Sequence, residues 1–268
     1  MNHAGTRPKK RFGQHFLVDQ NIVRKIIGVS KVERGDAILE IGPGLGVLTG
    51  RLLQAGAKVF AVEIDKSLCE SLKKRFPEDT GLEIINKDIL GIPLSSFFEK
   101  AGKKIKVVSN LPYNISGAIL AKFIDERGAL SDMTLMLQKE VAKRLVAKPS
   151  TEDYGILSVL TQAFFETSYM FDVSPMCFEP PPKVMSGVVR LEVLASPFID
   201  AEKEARFKKV VKTSFSKRRK TIFNCLKAFS MGDDELRKIL SDCDIDPKRR
   251  GETLGLLEFR ALTDALFR

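Results

Sequence analysis

From residue 36 onward the chain alternates short, β-branched apolar runs with stretches of helical periodicity, and this alternation restricts the fold more than any other feature. The runs are "DAILEIG", "KVFAVEID", "LEIINKD", "IKVVSN", "DMTLMLQ", "SYMFDVS" and "GVVRLEVL". Helical patterns lie near residues 46–55, 66–75, 116–127, 139–147 and 156–166. Mostly apolar strands separated by helices imply a parallel sheet covered on both faces. Only "PMCFEPPPKVMS" joins the last two runs. A hairpin-like return is expected there, giving one antiparallel strand at the end of the sheet.

The character changes after "LASPFID". Phe207, Val210, Val211, Ser214 and Phe215 recur at helical spacing, followed by Ile222, Phe223 and Leu226, then Leu236, Ile239 and Leu240, then Leu254, Leu257 and Leu262. These sets predict a small all-helical domain. The 268 residues suffice for one large domain and one small one. The expected division is 1–196, including a basic arm over 1–12, and 197–268.

Charge is uneven along this chain, whose net charge is +10. Residues 201–230 carry ten Lys or Arg against Glu202 and Glu204, and residues 1–11 add Arg7, Lys9, Lys10 and Arg11 with no acid. Clustered cations beside a phosphate polymer release condensed counterions, which makes nucleic acid the leading partner. Lys217, Arg218, Arg219 and Lys220 are the densest group, expected near a helix start capped by Ser216. A solvated helix face is the bland alternative. Two histidines and four scattered cysteines give no metal site. No run approaches the roughly 20 apolar residues that span a bilayer. A soluble, reduced, cytoplasmic monomer is expected.

In "ILEIGPGLGVLTGRLL", Gly42, Gly44 and Gly46 follow a strand and open a helix. Glycines there let backbone approach a ligand. The dinucleotide fingerprint needs a glycine where this chain has Val47, so a nicotinamide or flavin dinucleotide is disfavoured. The turn, preceded by Glu40, suits a cofactor without a pyrophosphate, S-adenosylmethionine (SAM) being the candidate. Glu63 ends the second strand, where a carboxylate can take both ribose hydroxyls. Asp88 ends the third, where one can accept from an adenine amino group. Either acid can also be read as a helix cap. Strand-end residues in such a sheet meet in one crevice, so Gly42, Glu63, Asp88 and Asn110 are expected to converge. Asn110 opens "NLPYNISGAIL", in which Asn and Pro are also ordinary turn residues.

"RFGQHFLVD", "EIGPGLGVLT", "VEID", "NKDIL", "NLPYNIS", "FEPPPKVMSGVVR" and "RRGETLGLLEF" together resemble the KsgA family, the small-subunit (16S) ribosomal RNA adenine dimethyltransferases. The likeness runs from about residue 9 to the C-terminus. It implies a Rossmann-like SAM-dependent methyltransferase sheet of seven strands, the last antiparallel, followed by a helical RNA-binding domain. It implies SAM contacts at His15, Leu17, Gly42, Gly44, Glu63, Asp88 and Asn110. The family often has Asn where this chain has His15, so contact there by side chain or by backbone stays open. The implied substrate is a pair of adjacent adenosines in the 3′-terminal hairpin of 16S rRNA, within the immature small subunit.

An adenine amino nitrogen is a poor nucleophile because its lone pair is delocalised into the ring. Accepting both amino hydrogens turns that pair toward the methyl donor. The Asn110 side-chain oxygen and a carbonyl near Leu111 or Pro112 are suited to this, with Tyr113 and Phe178 as stacking faces for an unstacked base. Two alternatives stand beside this reading. One is an erythromycin-resistance methyltransferase acting on the large-subunit RNA, against which Leu111 and "FEPPPKV" speak. The other is a non-enzymatic assembly or transcription factor on the same fold.

Overall fold

The computed structural model describes residues 14–76, 81–217 and 219–268, so the basic arm and Arg218 lie outside the described residues. Strand β1 (Phe16–Leu17) precedes helix α1 (Gln20–Ser30). Asp19 starts that helix: its Oδ1 accepts from the N–H groups of Asn21 at 2.7 Å and Ile22 at 3.2 Å. The alternation then runs β2 (Ala37–Ile41), α2 (Val47–Gln54), β3 (Lys58–Val62), α3 (Lys66–Arg75), β4 (Leu82–Ile85), α4 (Ser95–Ala101), β5 (Ile105–Asn110), α5 (Ser116–Asp125) and β6 (Leu130–Gln138). Helices α6 (Lys139–Val146) and α7 (Ile156–Gln162) lead to β7 (Phe165–Val173), β8 (Phe178–Glu179) and β9 (Ser186–Val193). The tail forms α8 (Glu204–Ser214), α9 (Ile222–Leu226), α10 (Asp233–Asp242) and α11 (Leu256–Leu266). Helices α1 and α4 lie outside the expected pattern, while all seven expected strands form.

Those seven strands make one sheet in the order β4-β3-β2-β5-β6-β9-β7, and β1 pairs with β8 in a separate ribbon. Strands β2 to β6 run parallel, and β9 lies antiparallel to β6 in a register that opposes Gln138 to Ser186. One expectation needs correction. The antiparallel strand β9 is not at the end of the sheet but inserts between β6 and β7. Burial gives the reason. The first six residues of β9 are buried, as an interior strand requires, whereas β7 is buried only at its two ends, alternates exposed with half-buried positions between them, and suits an edge.

The order reverses between β2 and β5, whose carboxyl ends are Ile41 and Asn110. Such a switch point opens a crevice outside the strand ends, where ligands of open α/β sheets bind. Beneath it β2 is buried along its whole length and β3 at four of five positions.

The chain divides into two compact units, one reaching to Ala142 with Ser168–Val193, the other Lys143–Thr167 with Leu194–Arg268. A single cut at 196/197 therefore does not describe the division. Lys143–Thr167 joins the tail because its backbone is bonded there: Leu194 N–H donates to Phe164 O at 3.0 Å and Phe198 N–H to Ala163 O at 3.1 Å. Tyr154 Oη also donates to Leu254 O at 2.8 Å. Within this unit α8 buries Phe207, Val210, Val211 and Ser214, as their spacing predicts. The last set differs: Leu254 is fully buried ahead of α11, which turns Phe259, Leu262 and Leu266 inward and leaves Leu257 74% exposed.

Candidate active site

A cavity of about 150 Å³ occupies the crevice, lined by residues from five successive segments that include Gly42, Gly44, Glu63, Asp88, Asn110 and Tyr113. The convergence expected at the strand ends is thus present. Gly44 has a φ of +57°, and a Cβ there would stand 2.9 Å from the Phe16 ring. Both features exclude a side chain, and the bare backbone forms part of the cavity wall. Pro112 closes over Gly42, its Cγ 3.4 Å from where a Cβ would lie. Gly46 serves packing instead, facing Leu72 and Phe76.

Glu63 is buried and lines the cavity, with its Oε1 accepting from the Asp65 N–H at 2.9 Å. Burial raises its carboxyl above the ordinary value, against the lowering effect of N–H donors from Asp65, Gly44 and Ile64. Asn86 steadies this strand end: its Nδ2 donates to Glu63 O at 2.8 Å and Ile64 O at 3.2 Å. Asp88 caps a short turn through the Leu90 N–H at 2.9 Å and also lines the cavity. Near the two acids Ile64, Leu68 and Ile89 give the wall apolar faces, and Lys87 lines it as well. Ile64 is 49% exposed on the cavity lip and Ile89 is buried beside Asp88. Neither was an expected site residue, although an apolar residue directly after each strand-end acid is the signal that marks them.

Glu40 lines a smaller adjoining cavity together with Leu17. Its carboxyl is pushed up to about 8, chiefly by burial, with Thr49 lowering it and the Glu63 charge raising it. Thr49 Oγ1 donates to Glu40 Oε2 at 2.6 Å.

Asn110 ends β5. Its Nδ2 donates to the His15 carbonyl at 3.4 Å, while its Oδ1 is buried and, among the described residues, has no hydrogen-bond partner. An orphaned buried acceptor is costly and rare, and at a cavity wall it points to a ligand donor. Leu111 extends the sheet by one rung, its N–H donating to Met136 O at 3.0 Å. Pro112 O accepts from the Ile115 N–H at 3.3 Å. Among the described residues no such donor meets Leu111 O. Tyr113 Oη lies 2.6 Å from Ser186 Oγ, and burial raises the phenol's pKa, with Ser186 lowering it.

His15 lines the cavity with its side chain committed elsewhere. Its Nδ1–H donates to Pro180 O at 2.8 Å, and its ring stands 6.0 Å from that of Tyr113 at 27°. Phe178 is a correction. It does not line the cavity but lies 3% exposed in the apolar core with Leu17, Val23 and Val188. The β1–β8 ribbon fixes this by opposing Leu17 to Phe178. Phe178 therefore supports the segment that carries His15 and Phe16.

The cationic cluster also differs locally from expectation. Lys217, Arg219 and Lys220 are exposed in the loop between α8 and α9, and Thr221 rather than Ser216 caps the following helix. Among the described residues, no group of His, Cys, Asp and Glu is arranged to hold a metal ion, and no helix is long and apolar enough to cross a membrane.

A family model described as ribosomal RNA adenine dimethylase matches residues 5–261. The chain belongs to that family. Ribosomal RNA small subunit methyltransferase A of Geobacter metallireducens is 43% identical over 269 residues, covering 99% of this chain and 98% of the relative. The protein of the same name from Alkaliphilus oremlandii is 41% identical, over 96% and 91% of the two chains. Among solved structures, a dimethyladenosine transferase from Plasmodium falciparum superposes with a TM-score of 0.79 at 27% identity, over 92% and 96% of the chains. The 23S rRNA methyltransferase ErmE superposes with a TM-score of 0.73 at 24% identity, over 94% and 100%, a likeness of fold. This adenine dimethylase is an rRNA methyltransferase, and its cofactor is SAM. The cavity suits SAM: a glycine wall without side chains, a buried carboxylate at Glu63 and an acceptor on Asn110 that no described residue pairs.

Proposed function

We propose that the chain dimethylates the amino groups of two adjacent adenosines in the 3′-terminal hairpin of small-subunit rRNA, acting as a monomer on the immature small subunit. The observation that carries the chemistry is the buried Asn110 Oδ1, which has no hydrogen-bond partner among the described residues. When bound, SAM supplies a methyl group on a positively charged sulfur, which keeps the electron pair of the broken bond as the amine nitrogen forms the new one. The chain's own residues prepare that amine. Asn110 Oδ1 and Leu111 O accept its two hydrogens and turn the lone pair out of conjugation. Pro112 O is less available, being engaged by Ile115. Leu111 is held by the sheet, so its carbonyl is preorganised and needs no rearrangement during the reaction. Tyr113 offers a ring face to the base. Its hydroxyl is engaged and its pKa raised, so the departing proton goes to water rather than to a phenolate. Glu63 and Asp88 would accept from the ribose hydroxyls and adenine amine of the cofactor, with Ile64 and Ile89 as apolar contacts.

The small subunit is favoured over the large by the full-length relatives bearing that name. The test is incubation of unmethylated small and large subunits with labelled SAM, followed by nucleoside mass spectrometry. Dimethyladenosine in small-subunit RNA alone is expected. Label in large-subunit RNA alone would transfer the reading to the erythromycin-resistance type, and label in neither would favour a non-enzymatic role.

A further inference from the structure

Tyr113 sits in the turn of residues 111–115, so neither a helix nor a strand fixes its ring. The His15 ring stacks beside it at 6.0 Å and 27°, a face contact that leaves the hydroxyl end of the ring to be held separately. That end is held by a hydroxyl 2.6 Å from its own, on Ser186. Ser186 is fully buried at the first position of β9, between β6 and β7, opposite Gln138. The preceding residue is tied down as well, since Lys139 N–H donates to Met185 O at 2.9 Å. A side chain on a turn is thus bolted to an interior strand by one bond.

We propose that Ser186 is a positioning residue that sets the plane of the Tyr113 ring for the second methyl transfer. This rests on the reading of Tyr113 as the stacking face. The unmodified amine offers two hydrogens, one to Asn110 and one to Leu111. Once it carries a methyl group it offers one, so a single acceptor holds it and the stacked ring supplies the remaining alignment. In that second step nitrogen's pair forms the N–C bond, the S–C pair stays on sulfur, and the last N–H proton passes to water. A ring free to tilt therefore damages the second transfer more than the first, because misplacement at the reacting atom is costly.

Ser186→Ala and Tyr113→Phe remove the same bond from opposite ends. Single-turnover reactions on unmethylated small subunits at saturating SAM, with mono- and dimethyladenosine quantified separately, read the effect. Each variant is expected to slow the second transfer about tenfold, the scale of one lost hydrogen bond, and the first much less. SAM affinity by calorimetry should not change. The double variant should be no slower than the slower single, and Ser186→Thr, which keeps the hydroxyl, should restore the product ratio. If Ser186→Ala does not fold, Tyr113→Phe decides alone, since it leaves β9 untouched. Normal product ratios in the folded single variants, or additive losses in the double, would overturn the inference. Tyr113→Ala separates this from the wider reading. If it is impaired while the subtler variants are normal, only the Ser186 role fails. If it too is normal, the stacking role of Tyr113 fails.

Discussion

Glu63 shows how one residue meets two demands. As a ribose acceptor it must be ionised, yet burial raises its pKa. It therefore begins to protonate at a higher pH than an ordinary carboxylate, and SAM affinity should fall as pH drops through that raised value. Glu63→Ala should weaken SAM binding about tenfold to a hundredfold, since hydrogen bonds to charged groups contribute roughly 1.5–3 kcal/mol. Calorimetry across pH checks both points: unchanged affinity in a folded variant, or affinity that rises on acidification, would remove the assignment. Glu63, Asp88 and Asn110 were readable in the sequence because each stands where an apolar run stops, and a polar residue there faces the crevice. Phe178 was not, because its direction is set by pairing with Leu17, which lies 161 residues earlier in the sequence. Tyr113 and Ser186, 73 residues apart, are equally invisible to local pattern.

At the scale of elements, strands announced themselves and their neighbours did not. β2, β3, β5 and β6 are mostly buried, so continuous apolar runs mark them. The place of β9 beside β6 depends on how much of each strand face is covered, which becomes clear only once the sheet is assembled. Helix α1 carries its own signal, Asp19 followed by Ile22, Val23 and Ile26, but precedes the alternation that organises the rest. Glu40 and Thr49 join β2 to α2 in the buried base of the glycine loop. Because the folded-state pKa of Glu40 is raised from 4.5 to about 8, the native state holds a proton that the unfolded chain has lost. Stability from this group is full below the lower value and declines as pH rises through the higher one. Glu40→Gln keeps an acceptor for Thr49 and removes the titration. Its stability relative to the parent, measured by urea unfolding, should rise between these two pH values; a difference independent of pH would contradict the burial account.

Across the whole molecule, chemistry and RNA affinity are assigned to different units. Asn110, Leu111 and Tyr113 belong to the sheet unit, whereas Lys217, Arg219 and Lys220 are exposed in the helical one. Replacing Lys217, Arg218, Arg219 and Lys220 with Gln should reduce the slope of log RNA affinity against log salt by roughly 0.7–0.9 for each phosphate no longer neutralised, leaving SAM affinity intact. An unaltered slope would make the cluster a solvated surface. Asn110→Ala tests the central claim from the other side, through the methyl-transfer rate in single turnover at saturating SAM and saturating small subunits. Asn110 acts at the reacting atom, so the rate should fall by about a hundredfold or more while RNA affinity stays within about twofold. A rate near that of the parent under those conditions would reduce "NLPY" to a turn and contradict the mechanism.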